Sequence, residues 1–171
     1  MRLVAYRSSD APLLTGYRLP DELLGVRPAD WSDAAEPHRI SEPRERRDER
    51  LYVVRDIAYV RYTDIDWASG QARLEIGPRA GKGRDDPDAR EHGEHGEREG
   101  DLLGALVDAA VTHGRRVLNL RRLHGWVTPA ARPPLAPLRA AGFAWEAVVP
   151  RGCWYAGAEV EREIWGLVAH G

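Results

Sequence analysis

The sequence predicts one mixed α/β domain, built on a twisted and mostly antiparallel β-sheet that is flanked by helices. Three observations predict it. The length of 171 residues suits a single domain, β-rich runs follow one another between residues 51 and 76, and helical and strand-like patterns alternate from residue 101 onward. We therefore expect residues 1–171 to form one domain, with its elements in the order β, α, a β meander, α, β, α, β, β.

The first fifty residues carry few regular patterns. A strand-like run at residues 3–6 is followed by a capping signal at residues 8–10 and by apolar residues at near-helical spacing, which predict a short helix. Several prolines and a charge run at residues 44–50 then predict irregular chain at the surface.

The centre of the chain predicts a three-stranded antiparallel meander at residues 51–54, 57–62 and 72–76. Gly77 and Pro78 end its last strand, because proline lacks a ladder donor. Residues 79–100 contain five glycines and almost no apolar side chain, so we expect a mobile loop there. An alternative interpretation makes this loop a segment that folds on contact with a partner.

The remaining chain predicts two helices and three strands. Asp101 is a good N-cap, and apolar residues recur one turn apart after it up to Gly114, a typical C-terminal stop. The second helix tolerates its prolines because they fall in its first turn. The further elements are a strand at 116–120, that second helix at 133–141, and strands at 143–149 and 159–168 around a turn-rich stretch at 150–157.

Composition and charge exclude several classes of function. A net charge of −2 gives no basic surface for a phosphate backbone, so we expect no nucleic-acid partner. The apolar runs are too short for a membrane span or a signal peptide, which predicts a cytoplasmic protein without a membrane partner. Cys153 is the only cysteine, which excludes an internal disulfide and a multi-thiolate zinc site.

Four segments, in their order and spacing, resemble the GNAT superfamily of acyl-CoA-dependent N-acetyltransferases. They are residues 57–67 as central strands, 72–78 as the strand entering the cofactor loop, 102–122 as helix plus strand, and 138–143, Leu-Arg-Ala-Ala-Gly-Phe. Within the superfamily the chain looks most like the branch that acts on ribosomal-protein N-termini and related amines. The resemblance covers residues 51–168 and implies splayed central strands, with acetyl-CoA or another acyl-CoA as co-substrate.

The resemblance further implies a phosphate-binding loop, Arg/Gln-x-x-Gly-x-Gly/Ala, that leads directly into a helix whose free amides favour anions. Gly81, Lys82 and Gly83 resemble the core of this loop, but about seventeen residues separate them from Asp101. Gly100 adjoins the helix instead, beside two glutamates that oppose a polyanion. We expect the pyrophosphate to meet residues 81–83 and Gly100.

Main-chain amides at Ile76, Gly77 or Arg79 are expected to hold the pantetheine and to polarise the thioester carbonyl, as an oxyanion site does. This expectation requires the strand that ends at Ile76 to diverge from the strand around Asn119 just past residue 76.

Glu75 is the candidate general base, since a buried strand carboxylate has a pKa suited to accepting the proton of an attacking ammonium, usually through water. The alternative is an outward-facing strand residue. The tyrosine that acts as general acid in the resembling family corresponds here to Leu138. Tyr155 and His124 are therefore the candidate acids, although a hairpin aromatic and a loop histidine are the plain alternatives.

His92 and His95, interleaved with glutamates, carry metal-binding side chains, but flexible glycines between them favour a solvated acidic loop and no metal site. Cys153 has no base that can be placed beside it and is expected as a free thiol. His113 is expected to complement a helix dipole.

The leading hypothesis is an N-acyltransferase for a primary amine of a small molecule or a peptide N-terminus. The rival hypothesis, favoured by the interrupted loop and the missing tyrosine, is a GNAT-like scaffold that has lost CoA-dependent transfer. It now binds a small ligand or a protein, or catalyses a different reaction of a specialised biosynthetic pathway. The acceptor, the acyl chain and the oligomeric state, including a homodimer, are left open.

Overall fold

A computed structural model describes residues 1–16, 18–26, 28, 38–41, 46–79 and 94–169, with the backbone alone at 38–39 and 94–99. Its centre is a seven-stranded sheet in the order β1-β4-β5-β6-β7-β9-β8. The strands are β1 (Val4–Ala5), β4 (Arg50–Val54), β5 (Ala58–Asp66), β6 (Gln71–Pro78), β7 (Arg122–Val127), β8 (Ala144–Tyr155) and β9 (Ala158–Val168). All neighbours are antiparallel except β6 and β7, which run parallel. This confirms the predicted mixed, mostly antiparallel sheet.

The predicted meander is confirmed as β4, β5 and β6. Its turns are formed by residues that accept positive φ or supply local side-chain acceptors. Asp56 has a φ of 60° between β4 and β5, and Gly70 has a φ of 66° before β6. The Asp66 carboxylate accepts hydrogen bonds from Ala68 N–H (3.0 Å) and the Ser69 hydroxyl (2.7 Å), which closes the second turn.

The N-terminal part is more regular than predicted. Ser8–Leu14 forms a 3₁₀ helix, and β2 (Thr15–Gly16) pairs with β3 (His38–Arg39) in a small second sheet. This part of the chain lies on one face of the large sheet, where Leu13, Leu14 and Ile40 pack against alternate residues of β4 and β5. Residues 44 and 45 of the predicted charge run lie outside the described residues.

Helices cover the opposite face. The helix α1 (Glu94–Arg116) packs Leu103, Leu106 and Val107 against the even-numbered residues of β5 and β6, and α2 (Ala136–Ala140) adds Leu138. The Tyr62 hydroxyl donates a 2.6 Å hydrogen bond to the Ala110 carbonyl oxygen and ties β5 to α1. The strands β4, β5 and β6 are therefore mostly buried on both faces, whereas β8 is largely exposed.

Three predicted boundaries are wrong. The first helix begins at Glu94, seven residues before Asp101, so residues 94–100 of the expected loop are helical; acidic residues in the first turns favour this end of a helix. No strand forms at 116–120, because Arg116 still belongs to α1 and Asn119 has a φ of 55°. The stretch 150–157 is largely strand, with its turn only at Ala156 and Gly157.

Within the described residues, no helix is long and apolar enough to cross a membrane.

Candidate active site

The central feature is a gap between the parallel strands β6 and β7. They pair only at residues 71–73 and 122–124 and then diverge. We call the space between Leu74–Pro78 and Gly125–Val127 the gap. The expected divergence is therefore present, but it begins three residues before Ile76, and the facing strand is β7 rather than the residues around Asn119.

Residues 22–25, which we call the gap segment, lie in this gap as a short extra strand. Leu23 N–H donates to the Trp126 carbonyl oxygen (2.7 Å) and Ile76 N–H donates to the Leu23 carbonyl oxygen (3.2 Å). Gly25 N–H donates to the Ile76 carbonyl oxygen (2.8 Å). The segment thus runs parallel to both strands and bridges them where they no longer pair.

Packing also holds the gap segment in place. Leu23 and Leu24 are 0% and 2% exposed, and burying each stabilises by about 1.5–3 kcal/mol. Gly125 makes room for Leu23: a Cβ at residue 125 would lie 2.8 Å from the Leu23 Cβ and from the Leu74 carbonyl oxygen. The absence of a side chain at Gly125 is therefore what admits the segment.

The side chain of Glu22 anchors the segment at the open end of β7. Its carboxylate accepts hydrogen bonds from Thr128 N–H (3.0 Å), the Thr128 hydroxyl (2.6 Å) and the Arg162 guanidinium (2.8 Å). Burial raises the pKa of the Glu22 carboxyl, and the bonds from Thr128 and Arg162 oppose this shift. Cys153 Sγ lies 3.6 Å from the Thr128 hydroxyl oxygen.

Glu75 belongs to a buried network on the face of β6 that the N-terminal part covers. The Tyr59 hydroxyl donates to one Glu75 oxygen (2.6 Å) and the Arg61 guanidinium lies 3.5 Å from the other. Glu75 is only 4% exposed, which excludes the outward-facing alternative. Burial raises the pKa of the Glu75 carboxyl, while the Tyr59 hydrogen bond and the Arg61 charge oppose the rise.

Arg18 lies against the same network, although nothing in the sequence singled it out. It is 2% exposed, and its guanidinium carbon lies 4.9 Å from the centre of the Tyr59 ring. The lack of a side chain at Gly77 leaves room for both Arg18 and Tyr59. The Arg18 Nη1 has no hydrogen-bond partner among the described residues.

The candidate acids lie at opposite ends of the gap. His124 pairs with Arg73 at the closed end, and burial, followed by the Arg122 charge, lowers the pKa of its ring. Tyr155 ends β8 and packs with Leu19 and Ala131 near the open end. The structure therefore places Glu75, His124 and Tyr155 in three different clusters.

Of the expected pantetheine-binding amides, Ile76 points into the gap and already bonds to Leu23. Neighbouring strand amides alternate in direction, so the Gly77 amide points toward β5. Arg79 N–H donates to the Ile57 carbonyl oxygen (2.6 Å). Gly100 lies inside α1, where its amide is past the four free amides of the helix N-terminus. Gly81, Lys82 and Gly83 lie outside the described residues.

The structure brings the remaining candidate residues, His92, His95 and His113, into no common site among the described residues. Among the described residues, no group of three or more metal-binding side chains comes together; His92 and the side chain of His95 are not described. His113 lies in the last turn of α1, and burial lowers its pKa. Two surface grooves among the described residues, of about 570 and 690 Å³, include no residue of β6 in their walls.

Sequence reasoning missed the gap segment and its partners Thr128 and Arg162. The only local signal is an acidic residue directly before two leucines and a glycine, and this pattern is too short to predict a strand. Their contacts join residues 106 and 140 positions apart, and no sequence periodicity reports such pairs.

Comparison with known proteins gives the fold. The sequence matches no protein-family profile and no curated protein. A variant of the spermidine N-acetyltransferase SpeG from Vibrio cholerae has a TM-score of 0.56 at 17% identity, over 72% of this chain and 68% of that one. A spermidine N-acetyltransferase from Vibrio cholerae in complex with CoA and spermine has a TM-score of 0.55 at 17% identity, over 71% and 66%.

The architecture is therefore that of the GNAT acetyltransferases, as the resemblance implied. The similar structures are spermidine acetyltransferases, so they give no support to the branch that acts on ribosomal-protein N-termini.

Proposed function

We propose that this protein is an acyl-CoA-dependent N-acyltransferase that transfers an acyl group, acetyl in the simplest case, to a primary amine. The observation that carries the proposal is the gap between β6 and β7, into which Ile76 directs a main-chain donor and acceptor. The fold likeness to acetyltransferases, one of them in complex with CoA and spermine, supports it.

The gap fits an amide-containing arm. Ile76 N–H and C=O now bond to the Leu23 carbonyl oxygen and the Gly25 amide, and the amides of a pantetheine arm offer the same pair of groups. In the proposed reaction, Ile76 N–H donates to the thioester carbonyl oxygen and stabilises the charge that develops there.

Glu75 takes the proton of the acceptor ammonium, through water, so that the amine nitrogen attacks the thioester carbon. A carbon–nitrogen bond forms and the carbon–sulfur bond breaks. The departing thiolate takes a proton from Tyr155, which recovers one from the attacking nitrogen as the amide forms. The lowered pKa of His124 disfavours the protonated ring that a general acid needs. The raised pKa of the Glu75 carboxyl makes it a stronger base than an exposed glutamate.

The gap segment leaves the gap when acyl-CoA enters, because both use the Ile76 amide. The apparent affinity for acyl-CoA is then reduced by the fraction of molecules in which the gap is open.

One observation favours a second candidate, a GNAT-fold scaffold that does not use CoA. The gap segment satisfies the Ile76 and Trp126 main-chain groups and is anchored by Glu22, so the gap of the described structure is sealed. In this candidate the sealing is permanent and the gap serves only stability.

Two experiments separate the two candidates. Titration calorimetry measures binding of acetyl-CoA and longer acyl-CoAs. A screen of primary amines then measures release of the free CoA thiol and formation of the acylated product. The proposal expects saturable binding, transfer to at least one amine, and loss of transfer in Glu75→Gln with acyl-CoA binding retained. Glu159→Gln, with a 56% exposed side chain, is the matched control and keeps full activity. If millimolar acyl-CoA produces no heat of binding and does not raise the melting temperature, the second candidate is established.

A further inference from the structure

The residues that hold Glu22 form a carboxylate-binding site on the sheet itself. Thr128 follows β7 directly and supplies an amide and a hydroxyl, and Arg162 of β9 supplies a guanidinium. Only the carboxylate comes from the gap segment. Three donors, one of them charged, converge on a single carboxylate, which is the arrangement that binds carboxylates strongly and specifically.

Packing fixes these donors independently of Glu22. Thr128 is 0% exposed, and the Arg162 guanidinium carbon lies 5.3 Å from the centre of the Trp126 ring. The side chain of Arg162 is 11% exposed, and its Nε is buried without a hydrogen-bond partner among the described residues. The Arg162 Nη2 also donates to the Pro20 carbonyl oxygen (2.9 Å), which holds this guanidinium in place without the Glu22 carboxylate.

The site lies on the same side of the sheet as Glu75. Ala72 of β6 faces Leu123 of β7 and both belong to the core beneath α1, so by alternation Glu75 and Trp126 point to the other face. Arg162 stacks on Trp126 and therefore lies on this face as well. An acceptor that meets Glu75 thus approaches the sheet on the face that carries Arg162.

The charges around the gap favour an anion over a polycation. The buried carboxylates of its described walls, Glu22 and Glu75, are each paired with an arginine. When the gap segment leaves, Arg162 loses its carboxylate, and Arg18 already lacks a partner at Nη1. An unpaired buried cation is costly, so an incoming carboxylate is stabilised where an extra ammonium is repelled.

We propose that Thr128 and Arg162 form the acceptor's carboxylate site, filled by Glu22 while the gap is closed and by a carboxylate of the acceptor while it is open. The acceptor is then an amine that also carries a carboxylate, of the amino-acid class. This assignment rests on the proposed acyl transfer, but the carboxylate site itself does not.

Binding without acyl-CoA tests the site alone. The probes are N-acetylglycine and N-acetylleucine, which resemble the product, and their primary amides, measured by calorimetry. Glu22→Gln removes the internal carboxylate and is expected to strengthen binding of the acids at least about tenfold relative to wild type. In this variant, equal affinity for acids and amides would overturn the site.

Arg162→Met is expected to abolish binding of the acids, and Arg151→Gln, on the neighbouring strand with an 82% exposed side chain, is the matched control that leaves it unchanged. Arg162→Met leaves the buried Glu22 carboxylate without its positively charged partner. The double variant Glu22→Gln/Arg162→Met is therefore measured in parallel, with folding checked by circular dichroism. Retained binding of the acids by the folded double variant would contradict the proposal.

Acyl transfer tests the assignment of the acceptor. With acetyl-CoA, kcat/KM for glycine and leucine is expected to exceed that for their amides and for spermidine by at least about tenfold, and Arg162→Met is expected to remove this preference while sparing the amides. Transfer to amides and acids at equal rates would overturn the inference and leave the proposed function intact. Binding of acids without transfer to any amine would retain the site and overturn the proposed function.

Discussion

Glu75 lies where burial penalises its charged form, and this raises the pKa of its carboxyl. Its surroundings are buried, and the Tyr59 hydroxyl that donates to it has a pKa raised by burial and by the adjacent Glu75 charge, so Tyr59 stays protonated. Folding therefore moves Glu75 from water, where its pKa is ordinary, to a site where the pKa is raised.

The pH dependence of stability follows from this direction. A carboxyl whose pKa is raised in the folded state stabilises fully below its unfolded pKa of 4.5, and this contribution is lost as pH rises through the folded pKa. Glutamine does not titrate, so the unfolding free energy of Glu75→Gln should improve relative to wild type as pH rises from 4 upward. Urea unfolding at pH steps of one unit measures it, and a difference independent of pH would contradict the assignment.

Gly125 is the residue at which a single methyl group should disturb the gap. In Gly125→Ala the new Cβ meets Leu23 and the Leu74 carbonyl oxygen, and one of these is main chain that yields only if β6 moves. We expect a loss of about 1–3 kcal/mol in the unfolding free energy. Chemical denaturation measures it, and an unchanged midpoint would show that Leu23 does not occupy the gap.

Gly104 provides the matched comparison within α1. A Cβ at this position has nothing within 4 Å, so Gly104→Ala only removes backbone freedom from a helix interior. The unfolding free energy should rise by about 1 kcal/mol, because alanine favours the helix over glycine by that amount. The same denaturation assay measures both variants, and the unfolding free energy should fall in Gly125→Ala and rise in Gly104→Ala.

At the scale of elements, the gap segment is a short strand that forms hydrogen bonds to both β6 and β7 where these two strands no longer pair. It contributes stability, and in the proposed enzyme it competes with acyl-CoA for Ile76. These two roles make opposite demands, so one variant separates them.

Leu23→Ala should lower the unfolding free energy by about 2–5 kcal/mol and, at the same time, strengthen binding of acetyl-CoA, because more molecules have an open gap. Leu14→Ala removes an equally buried leucine from the other face and should lose stability without any gain in affinity. Calorimetry and urea unfolding measure both properties. Weaker acetyl-CoA binding in Leu23→Ala would contradict the competition.

The elements that sequence reasoning identified are those with local signals. The β-rich runs separated by turn residues predict the meander, and the spacing of apolar residues after Asp101 predicts most of α1. The first turns of α1 are not predicted, because the glycines at 96 and 100 have a low helix propensity and suggest a loop. In the structure the helix nevertheless continues through both glycines. The strand at 116–120 was misplaced because Arg122–Val127 follows a turn that Asn119 completes with a positive φ.

The candidate site was only partly predictable for the same reason. Glu75 and Ile76 follow from their place on a strand, but Arg18, Glu22 and Arg162 reach the gap through contacts between distant parts of the chain. The family resemblance implies that the central strands diverge, and the sequence contains no local signal for what fills the space between them.

On the scale of the whole molecule, the sheet is covered by different parts of the chain on its two faces. The N-terminal part packs Leu13, Leu14 and Ile40 on one face, and α1 packs Leu106 on the other. Both layers pack against β5, which gives a physical reason to expect one cooperative unit, as the predicted single domain requires.

Leu14→Ala and Leu106→Ala test that expectation. Both residues are 0% exposed, and each change should cost about 2–5 kcal/mol. Each should also shift a single unfolding transition that tryptophan fluorescence and far-ultraviolet circular dichroism report alike. A second transition in either variant, with the two probes separating, would show that the N-terminal part unfolds on its own.

The long reach of Glu22 also bears on the order of events during folding. Its partners lie 106 and 140 residues away, so its docking must follow the assembly of β6, β7 and β9 and pays the loop-closure entropy last. Substitutions at Leu23 should therefore accelerate unfolding while leaving the refolding rate almost unchanged, a φ-value near zero that a chevron plot would measure. Newly made chains would pass through a stage in which the sheet exists and its central slot still stands open.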